Sequence, residues 1–81
     1  MPYITRQARE VLDCNQRRPD KAGELNYKIT KLLLGYVGSK GESYQTFNDI
    51  LGALEGAKQE FYRRVVTPYE DVKIKENGDV Y

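Results

Sequence analysis

Histidine and tryptophan are absent from this chain, and cysteine occurs once, at Cys14. Without histidine, no side chain has an ordinary pKa near neutrality, and Ser-His or Cys-His catalytic dyads are excluded. A single thiol cannot close an intramolecular disulfide, and without histidine it lacks the partners of a structural zinc site. No metal and no cofactor is therefore expected, and nothing positive points to an enzyme. Charge of one sign is also lacking: 13 basic and 12 acidic residues leave a net charge of +1. Such a balance creates no large field to steer nucleic acid or an anionic membrane. No apolar run approaches the roughly 18 residues of a membrane span, and the N-terminal stretch has no signal-peptide core. A cytoplasmic protein without a membrane partner is expected, and the lone cysteine agrees with a reducing compartment.

What is present reads as helix. The 81 residues predict one all-α domain over residues 1–81, at the size where a chain often needs a partner subunit to bury enough surface. Thr5 can cap a short first helix, about Arg6 to Cys14, that contributes Ala8, Val11 and Leu12. Asn15 to Asp20 reads as loop because proline disfavours helix in the residue before it. A second helix, about Ala22 to Val37, carries Leu25, Ile29, Leu32, Leu33 and Tyr36 at helical spacing. Gly38-Ser-Lys-Gly41 breaks it, and Ser43 caps a third helix from about Tyr44 to Val66. The two long helices are expected to run antiparallel, with Phe47, Ile50, Leu51, Leu54, Phe61 and Val65 as the buried seam of the third.

Gly52, Ala53, Gly56 and Ala57 make a strip of small residues inside that third helix. Two mid-helix glycines cost about 1 kcal/mol each relative to alanine, so the strip is expected to serve a close helix crossing, within one chain or between subunits. Thr67-Pro-Tyr-Glu70 has the pattern of a capping box and predicts a helix restart. Asn77-Gly78 would end that helix; the alternation of Val72-Lys-Ile-Lys75 leaves a hairpin as the rival.

Several segments carry a resemblance: Leu25-Asn-Tyr-Lys-Ile-Thr-Lys-Leu-Leu33, Asn48-Asp-Ile-Leu-Gly-Ala-Leu-Glu55, Glu60-Phe-Tyr-Arg-Arg-Val-Val66, Pro68-Tyr-Glu-Asp71 and Glu76-Asn-Gly-Asp-Val-Tyr81. Over residues 25–81 the chain resembles a family of short uncharacterised proteins of bacteriophages, prophages and related bacterial genomes. The resemblance implies an all-helical fold and a phage-type setting, and it supplies no activity.

Seven tyrosines among 81 residues turn attention to small-molecule binding. Tyrosine offers a flat face and a hydroxyl, and arginine a bidentate grip on phosphate. Arg63, Arg64, Tyr62, Tyr69, Lys73 and Tyr27, with Asn26 and Thr30 as a polar edge, are the candidate ligand residues. The expected function is that of a non-enzymatic helical homo-oligomer that sequesters a nucleotide-like anion. Small phage proteins that act as sponges for nucleotide signals are the analogy, one of size and setting rather than of motif. Two other readings stand beside it: an adaptor or inhibitor that binds a host or phage protein, and a small DNA-binding regulator. The last is weak, because Arg6, Arg9, Arg17, Arg18 and Lys21 are offset by Glu10, Asp13 and Asp20.

Overall fold

A computed structural model describes all residues, Met1 to Tyr81, and contains helices and no strands. The helices are α1 (Arg6–Asp13), α2 (Ala22–Lys40), α3 (Tyr44–Phe61), a π-helical segment (Tyr62–Val66) and α4 (Thr67–Asn77). The expected all-α class is therefore observed. The chain forms two compact units, Met1–Phe47 and Asn48–Tyr81.

In the first unit the ends of α1 follow from local chemistry. Thr5 Oγ1 accepts from the Ala8 N–H at 3.2 Å, as the cap position predicts. The helix stops at Asn15, which adopts a φ of 56°. Asn15 N–H donates to the Leu12 carbonyl and Gln16 N–H to the Val11 carbonyl, the paired bonds of a Schellman motif. The stop is therefore made by an asparagine that tolerates the left-handed region, four residues before the proline that the sequence emphasises.

Only one side chain of α1, Leu12, is fully buried. It packs between α1 and α2, and polar bonds supply the rest of the junction. Arg17 grips Glu24 with two bonds, Nη1 to Oε1 at 2.6 Å and Nη2 to Oε2 at 2.9 Å, while the Asp20 N–H donates to the same carboxylate at 2.9 Å. Tyr27 is buried and its hydroxyl donates to the Asp13 carboxylate at 2.9 Å. Lys28 Nζ reaches the Leu12 carbonyl at 3.0 Å and Asn15 Oδ1 at 2.8 Å, closing the C-terminal end of α1.

These bonds reverse one expectation. The face of α2 turned to α1 carries Glu24 and Tyr27, whereas the apolar stripe is left outward, with Leu32 74% exposed. Leu25, Ile29 and Tyr36 are exposed with it, and Leu33 is half-buried. The reason is the partner: α1 has eight residues and presents one fully buried leucine, so carboxylate and phenol contacts decide which side of α2 it meets. A second correction concerns the end of α2, at Lys40 rather than Val37. Gly38 stays helical; Gly41, at φ 86°, makes the break and donates to the Val37 carbonyl at 2.7 Å.

Acid should loosen the first unit through Glu24. The Arg17 guanidinium first, and then the Asp20 N–H, pull its carboxyl from an ordinary 4.5 to about 2. A carboxylate held lower in the folded state binds its proton more weakly there than in the unfolded chain, so its stabilisation is complete above about 4.5. That stabilisation is lost as pH falls toward 2. Thermal melts across this window should show a falling midpoint, and Glu24→Gln should remove much of the slope while lowering the midpoint at neutral pH. An unchanged slope in the variant would rule out the pair as its source.

At the start of α3, still within the first unit, Ser43 performs the expected cap, its Oγ accepting from the Thr46 N–H at 3.1 Å. Within residues 48–81 no side chain is buried. The predicted seam is therefore a solvent-facing stripe: Leu51 is 63% and Phe61 60% exposed, Phe47, Leu54 and Val65 are exposed with them, and Ile50 is half-buried. The predicted restart at Thr67 is also absent. Thr67 has helical dihedrals, no side-chain cap bond is made there, and the helix continues from α3 into α4. Pro68 explains the manner of passage. Proline lacks the N–H and crowds the carbonyl four residues back. The segment Tyr62–Val66 opens into a π turn, and the Thr67 N–H donates five residues back to the Tyr62 carbonyl. The C-terminal stretch is helix to Asn77 and not a hairpin; Gly78, at φ 90°, ends it and donates to the Ile74 carbonyl at 2.8 Å.

Candidate functional site

The residues expected to bind an anion fall in both units. Those of the second unit surround the π turn. Arg63 and Arg64 both pair with Glu60, Arg64 through Nε at 2.9 Å, and all three side chains are solvent-exposed. One carboxylate thus occupies two guanidinium groups, an arrangement of small energetic worth at the surface. Lys73 lies 5.6 Å from the Tyr69 ring and bonds Glu76 at 3.2 Å. Tyr62 donates to Glu70 at 3.1 Å, and that bond to a carboxylate is the chief reason its phenol pKa is raised.

The five do not converge on one pocket. Tyr62 and Lys73 line an open hollow of about 530 Å³, which Arg63, Arg64 and Tyr69 do not line. Its charged walls are Glu70, Asp71 and Asp79 against Lys73 alone, a field that disfavours an anion. A neighbouring groove of about 390 Å³ is lined by Lys58, Arg63 and Tyr62, but Glu55 also faces it.

Gly52 and Gly56 have open space where a Cβ would stand. The crossing expected there is therefore not made within the chain. At 3.6 residues per turn both glycines lie on the side of α3 away from Leu54 and Phe61, with Ala53 and Ala57 on the flank between. Gly52→Ala is accordingly expected to stabilise α3 by about 1 kcal/mol, seen as a rise of several degrees in the thermal midpoint. A lowered midpoint would mean that another helix contacts this side in solution.

The candidates of the first unit sit in a different field. Tyr27 and Thr30 line a groove of about 240 Å³ together with Tyr3, Arg9, Lys31 and Leu34. Two cations and no carboxylate line it. Arg9 stands 6.0 Å from the Tyr27 ring and spends only its Nε, on the Ile4 carbonyl at 3.0 Å. Lys31 makes no ion pair. The Thr30 hydroxyl donates to Asn26 Oδ1 at 3.1 Å, and of the two only Thr30 lines the groove. Burial first, and the Asp13 bond second, raise the Tyr27 pKa, so this phenol stays neutral at physiological pH. In the sequence Arg9 stands out only as one of a basic series, and Lys31 does not stand out at all. The available signal was the spacing of Tyr27, Lys31 and Leu34, which share one face of α2.

The chain is thus a small all-helical protein with one cationic, aromatic groove and two uncovered apolar helix faces, one on α2 and one on α3. It belongs to the family described as domain of unknown function DUF6899, which matches residues 1–80. No curated protein and no solved structure matches the chain. No helix is long and apolar enough to cross a membrane, and no group of His, Cys, Asp and Glu residues is arranged to hold a metal ion.

Proposed function

We propose that this chain is a non-enzymatic binding protein whose working form is a homo-oligomer joined through the apolar face of α3. The observation that carries this reading is the state of residues 48–81, which are helical from Asn48 to Asn77 with no buried side chain. Helices in water owe most of their stability to tertiary packing rather than to propensity. Here propensity is further reduced by Gly52 and Gly56, at about 1 kcal/mol each.

The stripe itself measures what is missing. Full burial of a large apolar side chain contributes about 1.5–3 kcal/mol, so five side chains near half exposure leave roughly 4–8 kcal/mol unrealised. That is comparable with the whole stability of a small domain, about 5–15 kcal/mol.

A second copy fits the face by charge. Glu55 and Lys58 lie along one edge of the stripe. An antiparallel pair with its two-fold axis beside Ala57 sets Leu54 of each copy near Phe61 of the other and brings Glu55 within reach of the other Lys58. Parallel pairing would set this edge against the opposite flank of the other copy, where Ala53 and Ala57 offer Glu55 no countercharge. The near-neutral net charge of +1 adds no general repulsion.

Sedimentation equilibrium at low micromolar concentration tests the proposal. A mass that is a multiple of 9.4 kDa is expected. A monomer at every concentration overturns it, and a monomer that gains mass only with a second protein transfers the face to that partner.

A further inference from the structure

The cationic groove of the first unit shares no residue with the α3 face proposed for self-association, and its chemistry points to a ligand. The arm before α1 folds back across α2 because Gly23 has no side chain: a Cβ there would stand 2.8 Å from the Met1 carbonyl oxygen. That approach brings Tyr3 to the groove wall beside Arg9 on α1 and Lys31 on α2. Three separate pieces of the chain thus supply one ring, one guanidinium and one ammonium to a single concavity.

We propose that this groove binds a mononucleotide, with the phosphate held by Arg9 and Lys31 and the base laid against Tyr3 and Leu34. Arg9 can receive the phosphate because the Ile4 carbonyl occupies only its Nε and leaves both terminal nitrogens as donors. Lys31 adds a point charge with no competing carboxylate in the lining. Tyr3 is 79% exposed, so its ring is free to stack. The volume of about 240 Å³ lies just below the range of about 300–1,000 Å³ that encloses drug-sized ligands. It suits one nucleotide with its outer edge in solvent better than a longer chain.

The Tyr27 ring forms the inner wall and its hydroxyl is directed to Asp13. Stacking and two cation-phosphate contacts are therefore the sources of affinity, and discrimination between bases should be slight.

Titration of the full-length protein with adenosine monophosphate, followed by amide chemical shifts, tests the site. Shifts are expected at Arg9, Thr30 and Lys31, with adenosine and inorganic phosphate each binding at least tenfold more weakly. Lys31 bonds no other residue, so Lys31→Gln should leave the fold intact and weaken binding about tenfold, the loss of one charge-assisted contact. Arg9→Gln should do at least as much, with circular dichroism confirming its helix content. Absence of shifts at millimolar nucleotide, or equal binding by wild type and Lys31→Gln, overturns the proposal. So does tighter binding of a short single-stranded oligonucleotide with a steep salt dependence, which would mark a nucleic-acid surface.

Discussion

Leu12→Ala is expected to destabilise the first unit by about 2–5 kcal/mol, the range for deleting a buried leucine side chain down to alanine. Leu12 is the only side chain of the chain with no exposed surface, so its truncation removes the one fully buried apolar group of the unit. For a domain of this length each kcal/mol corresponds to about 4–8 °C in the midpoint, so the shift should exceed about 10 °C. The consequence is structural as well as energetic. An eight-residue helix is too short to persist alone in water, and α1 should therefore melt when its contact with α2 is lost. The Tyr27–Asp13 bond and the Lys28 cap on the Leu12 carbonyl would go with it. Hydrogen exchange read at the amides of α1 checks this, and Leu12→Ile, which keeps the volume, should cost less than about 1.5 kcal/mol. A loss below 1 kcal/mol in Leu12→Ala would show that α1 is not docked as described. Because Arg9 rides on α1, the same variant should also lose nucleotide binding, whereas Lys31→Gln loses binding with the fold intact.

The parts of this fold that the sequence discloses are those settled within a few residues. Thr5, Ser43 and Gly78 act where their chemistry predicts, because a cap bond or a positive φ depends on neighbours no more than four positions away. Periodicity likewise identifies which face of α2 and of α3 is apolar. It does not identify what covers that face, and on α2 the covered side is the polar one. The cause lies in a pair seven positions apart, Arg17 and Glu24, whose meeting depends on the path of the loop between them. Local signals also fail where two compete. Thr67-Pro-Tyr-Glu70 satisfies the capping pattern, but the helix continues by widening to a π turn that accommodates Pro68.

The candidate site divides along the same line. Tyr27 and Thr30 were legible because tyrosine and a polar edge on one helix face are visible in the spacing. Lys31 shares their face of α2, but Arg9 becomes their neighbour only through the packing of α1 on α2 and Tyr3 only through the arm that Gly23 admits, and a glycine making room for a distant carbonyl leaves no pattern to read. For Arg63 and Arg64 the spacing predicts divergent side chains, at most one in a given pocket and the other on Glu60 or another carboxylate; Glu60, one turn back, reaches both.

Phe61→Glu is expected to return the protein to monomer. In a single chain Phe61 is 60% exposed, and a surface substitution of this kind changes stability by only about 0.5 kcal/mol in either direction. In an antiparallel pair the same side chain is buried twice, once in each copy. Losing about 1.5 kcal/mol at each position removes about 3 kcal/mol of association energy, roughly a hundredfold in dissociation constant. Two carboxylates placed in the apolar seam should raise that further. Sedimentation equilibrium should therefore show a shift from a multiple of 9.4 kDa to the single-chain mass. Far-ultraviolet circular dichroism should show lost helicity as α3 gives up its cover. The residues that remain folded should be those of the first unit, since Leu12, Glu24 and Tyr27 are buried without help from the stripe. An unchanged mass and helix content in Phe61→Glu would remove this face from the assembly. The uncovered stripe of α2, with Leu32 at its centre, would then be the surface through which copies meet.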